Sequence, residues 1–338
     1  MKKLDYFMNL QLFAEPNTNV TTDTGLSGEI KTYYEDTLLD EAEPNLVHDQ
    51  FGDPYPIPKG KGKTIEFRKY DSLPKATTPL TEGVTPNGKK LSMSTITAEV
   101  AQYGDYIVTS DILDLTAIDN NVVQATKILG SQAGRTLDTV TREVLAGGTN
   151  VLYAPKIANG AETAVTSRKN LDASCVLTPD LCFQANTILK NAIAPYIDGC
   201  YVAIIHPYVA YDLMRNEEWI DVHKYANPDN IYEGEIGKIA NIRFVQSTEA
   251  KIWKDDTCPT GLAVFSTLVL GSHAYGITEV QGGGLQHIVK QLGYGDDPLN
   301  QRASVGWKAI KTAKRLVEQY MIRIETCSKR YSAIAEAN

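Results

Sequence analysis

The chain has 338 residues, 43% of them hydrophobic, so it can bury a sizeable core in two domains or in one elongated domain. Its net charge is −8, from 33 basic and 41 acidic residues, so no overall basic field favours nucleic acid as the primary ligand. No apolar run of about 18 residues is present, so no membrane span and no membrane partner are predicted.

The cysteines show neither a CxxC pair nor a metal-ligand spacing with the five histidines. We therefore expect free thiols in a reducing compartment. The first residues, MKKLDYFMNLQLFA, are interrupted by polar side chains and are not predicted to form a signal peptide. The five cysteines are Cys175, Cys182, Cys200, Cys258 and Cys327.

Residues 1–50 have the character of an N-terminal arm. A polar stretch precedes a short segment, Glu29–Leu39, in which apolar side chains share one helical face. This segment is too short to hold a core of its own. We therefore predict that Tyr33 and Tyr34 pack on the main body or on another subunit.

The next segment changes to an alternating pattern. Thr64–Tyr70 and Leu91–Val108 are rich in Thr, Ile, Val and Tyr, and a segment rich in Pro and Gly separates them. These residues predict one long hairpin within 51–110. An isolated two-stranded hairpin is marginal in water, so we expect it to lie on a neighbour. The alternative is the edge of an ordinary sheet in the same domain.

The run KGKGKT at residues 59–64 matches only the end of a phosphate-binding loop. Ile57 occupies the position of the first glycine, and a strand rather than a helix is predicted to follow. Nucleotide binding is therefore not predicted here.

A long helix is predicted over Asp119–Ala146. Its apolar residues recur at steps of three and four, which places them on one narrow face. Polar residues at the start can cap it, and Gly147-Gly148 can end it. The small size of the stripe predicts close packing on strands. Its members are Val122, Ala125, Leu129, Ala133, Leu137, Val140 and Val144.

The region after this helix alternates between helical and strand patterns. A short hairpin is predicted around Asn159-Gly160. Thr178-Pro179 should begin a helix that runs to about Ala194, because Thr caps and Pro favours the first helical position. We predict a second domain of helices against a mixed sheet. Its strands are Tyr201–Ile205, Phe244–Gln246 and Leu262–Leu270, with a short helix after His206-Pro207.

No residue pattern predicts catalysis. No HExxH, GxSxG or DxD arrangement occurs, and no histidine stands at a known catalytic spacing from Ser, Cys or a carboxylate. Catalytic residues, cofactors and metal ligands are therefore not predicted. The histidines read as ordinary hydrogen-bonding groups are His206, His223, His273 and His287.

Two stretches carry a family resemblance. They contain GEIG at residues 234–237 followed by IRFV at 242–245, and DPLNQRASVGWK at 297–308. With the opening MNLQLFAE, and behind a long hairpin and a long helix, they resemble the major capsid proteins of tailed phages. The resemblance is to the N4-like group, which shares the Hong Kong 97 capsid fold.

The resemblance implies an α+β fold of the Hong Kong 97 type, with an N-terminal arm, an extended hairpin called the E-loop, a peripheral domain with a long spine helix, and an axial domain. The predicted segments follow that order. They are the arm at 1–50, the E-loop at 51–110, the peripheral domain at 111–177 with the spine helix at 119–146, the axial domain at 178–303, and a return into the peripheral domain at 304–338. Within the return, Ser304–Val317 and Tyr320–Cys327 are predicted strands, and the second alternates as a half-buried strand should.

The same resemblance implies a non-enzymatic subunit of an icosahedral phage capsid. It would assemble with itself into pentamers and hexamers around double-stranded DNA, as part of the virion, after assembly in the host cytoplasm. A separate scaffolding protein and a portal protein are the implied partners. No motif for covalent crosslinking is found. The alternatives are an α+β enzyme or small-ligand-binding protein with its site in the middle domain, and an encapsulin-like compartment.

Direct DNA contact stays open. The densest basic cluster lies on the predicted strand Ser304–Val317, but alternation places Lys311 and Arg315 on one face and Lys308 and Lys314 on the other. Ion pairs with acidic neighbours are the favoured reading. The residues predicted to contact other subunits are Tyr33, Tyr34, Phe67, Arg68, Lys69, Leu91 and Arg302.

Overall fold

The computed structural model describes residues 47–85, 87–116, 121–158, 161–216, 235–295 and 297–338. The predictions for Tyr33, Tyr34 and His223 lie outside these residues. No helix in these ranges is both long enough and apolar enough to cross a membrane.

The described elements combine four helices with sixteen strands. The helices are α1 Asp111–Thr116, α2 Asn121–Ala146, α3 Pro179–Asn191 and α4 Pro207–Met214. The strands are β1 Asp53–Pro54, β2 Thr64–Tyr70, β3 Met93–Glu99, β4 Ala101–Ser110, β5 Val151–Tyr153, β6 Lys156–Ala158, β7 Ala161–Thr163, β8 Tyr201–Ile205, β9 Glu235–Ile239, β10 Ile242–Gln246, β11 Ile252–Trp253, β12 Val264–Leu270, β13 Tyr275–Glu279, β14 Gln286–Lys290, β15 Arg302–Arg315 and β16 Met321–Thr326.

A five-stranded sheet is built around the long strand β15. Antiparallel β4 pairs along one edge of β15, while β14 and β13 pair along the other, and β1 joins β13 in parallel. The long helix α2 packs on one face of this sheet. Its stripe of Leu129, Ala133 and Leu137 forms a core with Val305, Trp307 and Ala309 of β15. The predicted helix and its close packing on strands are confirmed.

A seven-stranded mixed sheet forms the second core. Its order is β5-β16-β12-β8-β10-β9, with β11 beside β12; β8 pairs in parallel with β10 and antiparallel with β12. All five residues of β8 are buried. Helix α3 begins as predicted, with Thr178 accepting a hydrogen bond from the Leu181 N–H and Pro179 in the first turn. The mixed sheet, the predicted bounds of β8 and the short helix predicted after His206-Pro207 are confirmed.

The predicted single strand Leu91–Val108 is wrong, because the chain changes partner at Val100. Strand β3 pairs with β2, whereas β4 pairs with β15. At the break, the buried Val100 donates its N–H to the Lys63 carbonyl. Alternation is similar on both sides of this point, so it could not reveal the change of sheet.

The strand predicted at Tyr320–Cys327 does not join the sheet that packs on α2. This strand, β16, lies between β5 and β12 in the seven-stranded sheet, rather than in the sheet that packs on α2. Conversely, β13 and β14 lie within the predicted axial segment but belong to the five-stranded sheet. All six residues of β16 are buried, so it is not half-buried as predicted. Within the motif GEIG, β9 begins at Glu235, and the turn to β10 comes at Ala240-Asn241, where both φ angles are positive.

Strand β16 can be fully buried because its charged side chains are paired. Arg168 pairs with Glu325 at 2.6 Å and stacks on Trp253 at 3.8 Å from the ring centroid. Arg323 pairs with the same carboxylate at 2.8 Å and also donates to the carbonyls of Ala146 and Gly148, at the C-terminal end of α2. A cation is favourable at that end of a helix. This cluster joins the long helix to the seven-stranded sheet.

The described chain begins with a second buried junction. The His48 N–H and ring Nδ1 both contact the carboxylate of Asp138 on α2, at 2.8 and 2.7 Å. The Thr141 hydroxyl donates to Asp49 at 2.6 Å, and Asp49 also pairs with Lys311 of β15. Because these contacts come from α2 and from the face of β15 that α2 covers, residues 47–49 lie on the helix side of the five-stranded sheet.

Candidate assembly surfaces

The hairpin of β2 and β3 is anchored at its root. The backbone N–H of Ile57 donates to the backbone carbonyl of Glu279, and the backbone N–H of Gln281 donates to the carbonyl of Ile57. The chain that enters the hairpin is therefore hydrogen-bonded to the end of β13. Tyr55 meets Phe67 edge to face, with ring centroids 5.0 Å apart. Gly60 and Gly62, in the lysine-rich turn before β2, both have positive φ, which glycine adopts without steric cost. This turn therefore serves hairpin entry, and no helix follows it.

Beyond its root the hairpin is exposed. Strands β2 and β3 pair in continuous register from Thr64 with Glu99 to Tyr70 with Met93. Every described residue of the connection 71–92 is exposed. It displays large apolar side chains, including Leu80 at 77% and Leu91 at 76% exposure. A monomer gains nothing from such a display, whereas exposed apolar patches commonly mark protein contacts.

The hairpin also differs in charge from the rest of the chain. Residues 59–99 contain eight basic and four acidic side chains, a net charge of +4, although the whole chain carries −8. The remainder is therefore strongly acidic. A basic projection and an acidic body are electrostatically complementary between copies of the same chain.

The structure places the predicted contact residues as follows. Phe67 is half-buried at the hairpin root, whereas Arg68, Lys69 and Leu91 are exposed along the hairpin. Arg68 lies 3.5 Å from Glu66 on the same strand. Arg302 is exposed at the start of β15 and pairs with Ser110, at the end of β4 that is farther from the hairpin, so the structure does not bring it together with the hairpin residues.

Further exposed apolar residues were not predicted as contacts. On β4 and α1, Tyr106 is 68% and Ile112 is 67% exposed. Ile193, just after α3, is 83% exposed and has a φ of 56°. Alternation within β4 could have indicated Tyr106, because it falls opposite the helix-facing Ile107. No sequence pattern marks Ile193.

His206 and the cysteines of the middle region are buried. His206 caps α4 by accepting the Tyr208 N–H at 3.2 Å, and burial lowers its pKa to about 4. All five cysteines are free, as predicted, and all five are buried. Burial raises the pKa of Cys182 and of Cys327 to about 12, so both stay as unreactive thiols.

The described residues offer no cluster for metal binding. Within them, no three His, Cys, Asp or Glu side chains lie close enough to hold a metal ion. One groove of about 790 Å³ lies between the hairpin root and β15, lined among others by Thr64, Glu99, Lys314 and Glu318. It contains no histidine or cysteine and opens to solvent. This groove favours contact with another surface over enclosure of a small ligand.

Comparison with known proteins decides the family. Residues 54–295, well over half of the chain, match the phage capsid protein family. The chain belongs to this family. It is therefore a structural subunit of a bacteriophage capsid and part of the virion, and it assembles with further copies of itself into a shell. Membership implies a structural rather than an enzymatic role.

Solved structures agree with this fold. The chain is similar to the capsid of the cyanophage P-SCSP1u, at 15% identity and a TM-score of 0.63 over 84% of this chain and 88% of that one. It is similar to the capsid of Ralstonia phage GP4, at 14% identity and 0.63 over 83% and 88%. It also matches the capsid of Helicobacter pylori bacteriophage KHP30, at 11% identity and 0.55 over 81% and 86%. No curated protein sequence matches the chain.

Proposed function

We propose that this capsid subunit builds an icosahedral shell of pentamers and hexamers around double-stranded DNA by laying its hairpin on neighbouring subunits. We assign it the Hong Kong 97 type of fold and the N4-like group, on the motifs at 234–245 and 297–308. One observation carries the mechanism. The hairpin is anchored at its root, whereas its connection 71–92 is exposed and apolar and its charge is opposite to that of the body.

The domain roles follow the two sheets in this proposal. Residues 1–50 act as the arm, and the hairpin within 51–110 acts as the E-loop. The five-stranded sheet with α2 acts as the peripheral domain and its spine, and the seven-stranded sheet acts as the axial domain around the symmetry axes. The proposed partners are a separate scaffolding protein and a portal protein, with assembly in the host cytoplasm.

Weak contacts suffice for such a shell. Each subunit would meet its neighbours at several surfaces, and the closed arrangement multiplies individually weak contacts. Phe67, Arg68, Lys69 and Leu91 contribute from the hairpin in this proposal, while Arg302, Tyr33 and Tyr34 contribute from other surfaces.

Removing the hairpin tip tests the proposal. Because Asp71 and Ser92 are hydrogen-bonded at 2.8 Å, Ser72–Leu91 can be replaced by Asn-Gly as a two-residue turn with little disturbance of the root. We expect a subunit that melts as the full chain does but forms no shells, as judged by sedimentation and negative-stain microscopy. Shells of normal number and size would contradict the assignment of the hairpin to inter-subunit contacts.

A milder pair of variants separates contact from folding. Leu80→Ser combined with Leu91→Ser removes two exposed apolar side chains from the hairpin. Ile334→Ser removes one of similar exposure, 66%, near the C-terminus. Neither change should alter the melting temperature by more than about a degree, because both sites are exposed. Only the hairpin change should reduce shell formation.

A further inference from the structure

The hairpin connection contains an asparagine followed directly by a glycine, Asn87-Gly88. In such a pair the glycine nitrogen can attack the side-chain carbonyl carbon of the asparagine, because glycine has no Cβ to hinder a close approach. A bond forms between this nitrogen and Cγ, the bond from Cγ to Nδ2 breaks, and the side-chain nitrogen leaves as ammonia with the proton of the glycine N–H. Water then opens the cyclic imide to aspartate or isoaspartate. Neither step needs an oxidant, a cofactor or another protein, so the local structure decides whether the pair reacts.

The local structure leaves Asn87-Gly88 free to react. Both residues are exposed and lie outside any helix or strand. With the rest of the described chain, neither the Asn87 side chain nor the Gly88 N–H makes a hydrogen bond. A Cβ placed on Gly88 would have no atom within 4 Å. No hydrogen bond has to break, and no neighbouring side chain has to move, before the nitrogen reaches Cγ.

The charges beside the pair favour the same reaction. Lys89 and Lys90 follow directly and are exposed, and neither makes an ion pair with a residue that the structure describes. The attacking form of the Gly88 nitrogen is the amide anion, and nearby cations stabilise an anion. The two lysines therefore raise the population of the reactive form.

A second pair in the chain provides a structural contrast. Asp198-Gly199 could form the same imide by losing water, but both residues have positive φ, 48° and 82°. Ile197 and Cys200 exchange backbone hydrogen bonds of 2.9 and 3.1 Å across this turn. Closing the imide ring requires rotation of the backbone after Asp198, and these bonds oppose that rotation. The tight turn therefore protects Asp198, whereas no such turn holds Asn87.

We propose that Asn87-Gly88 is a self-modifying site in unassembled subunits and that its product assembles less well. Conversion adds one negative charge and lowers the net charge of residues 59–99 from +4 to +3. The isoaspartate product also adds a methylene to the backbone of the hairpin connection. Both changes weaken contact of a basic hairpin with an acidic neighbour. This consequence rests on the proposed role of the hairpin, whereas the modification itself does not.

The proposed role of the hairpin also implies protection after assembly. The connection 71–92 would then be covered by a neighbouring subunit, and the backbone at Gly88 could no longer rotate freely. Conversion would thus accumulate in subunits that stay unassembled and would slow in shells. The site would act as a chemical record of the time that a subunit spends outside a particle.

Peptide mapping of the full chain tests the modification. Unassembled subunits are incubated at neutral pH, and their proteolytic peptides are separated and identified by mass spectrometry, which also resolves the other Asn-Gly pair, at 159–160. We expect progressive conversion of Asn87 into aspartate and isoaspartate, with Asp198 unchanged. The matched control is Gly88→Ala, which has space for its Cβ and no positive φ, and in which Asn87 should remain an amide. Two results would overturn the proposal: an intact Asn87 in the folded chain while the same chain converts in urea, or equal conversion in Gly88→Ala.

Sedimentation of fresh and converted subunits tests the consequence. Converted wild type should need about twofold more subunit to form shells, the factor for losing one exposed ion pair. Gly88→Ala incubated for the same time should assemble like fresh protein, and Asn87 in wild-type shells should convert more slowly than in free subunits. Equal assembly of fresh and converted wild type would overturn the proposed consequence, as would equal conversion in shells and free subunits. If subunits without the hairpin tip still form shells, the proposed function fails, but conversion of Asn87 in the peptide map stays a separate result.

Discussion

Lys311→Met is expected to destabilise the subunit by about 3 kcal/mol, because it leaves a largely buried carboxylate without its cation. The Lys311 side chain is 3% exposed and that of Asp49 is 15% exposed. Without Lys311, Asp49 would keep the hydrogen bond from Thr141 at 2.6 Å but would lose its charge partner. Small proteins have a total stability of about 5–15 kcal/mol, so the loss would be a large fraction.

Urea unfolding of unassembled subunits, followed by circular dichroism, measures this loss. The matched control is Lys314→Met, three residues along the same strand at an exposed position, which should change stability by less than about 0.5 kcal/mol. Adding Asp49→Asn to Lys311→Met should recover part of the loss, because the unpaired charge is then removed. If Lys311→Met unfolds at the same urea concentration as Lys314→Met, the junction between residues 47–49 and the sheet does not contribute as described.

Three further changes have defined outcomes. Ile193→Gly should stabilise the subunit by about 0.5–1 kcal/mol. Ile193 follows the end of α3 in a left-handed backbone conformation, which is strained for a β-branched residue. An unchanged midpoint of urea unfolding would contradict this prediction. Burial holds the folded-state pKa of His206 at about 4, below its usual value near 6.5, so the unfolded chain binds more protons and stability falls as the pH drops from about 6.5 to about 4. His206→Asn keeps a capping side chain but cannot titrate, so the stability of this variant should fall less between about pH 6.5 and about pH 4. If the stability of the variant and of the wild type falls equally with pH, His206 is not the cause of the pH dependence. Leu129→Ala should cost about 2–5 kcal/mol because Leu129 is 1% exposed against β15, whereas a cost below about 1 kcal/mol would refute that packing.

Local signals predicted the elements whose formation depends on neighbouring residues. The apolar steps from Val122 to Val144 marked α2, and Thr178-Pro179 marked the start of α3. A strand was predicted over Ser304–Val317, and β15 spans Arg302–Arg315. In each case the deciding interactions lie within a few residues of one another in sequence.

Pairing between distant segments was not predictable in the same way. The chain passes from one sheet to another at Val100 without a change in its alternation. The burial of β16 depends on Arg168, which is far away in sequence and neutralises Glu325. The pairing of Asp49 with Lys311 is likewise long-range. Composition cannot specify such partners, because any of several acidic residues could serve each cation.

The candidate surfaces were predicted in part. Exposure of Arg68, Lys69 and Leu91 agrees with their predicted place on a projecting hairpin, although their contacts with other subunits stay a prediction. The split of the basic cluster across the two faces of β15 was correctly derived from alternation. Alternation could not show that α2 covers one of these faces, where Lys311 pairs with Asp49.

Electron cryomicroscopy of assembled particles would test the central claim most directly. We expect closed icosahedral shells in which the hairpin connection 71–92 of each subunit lies on an adjacent subunit, with Leu80 and Leu91 buried there. Shells in which the hairpin folds back on its own subunit, or a chain that stays monomeric under all assembly conditions, would contradict it.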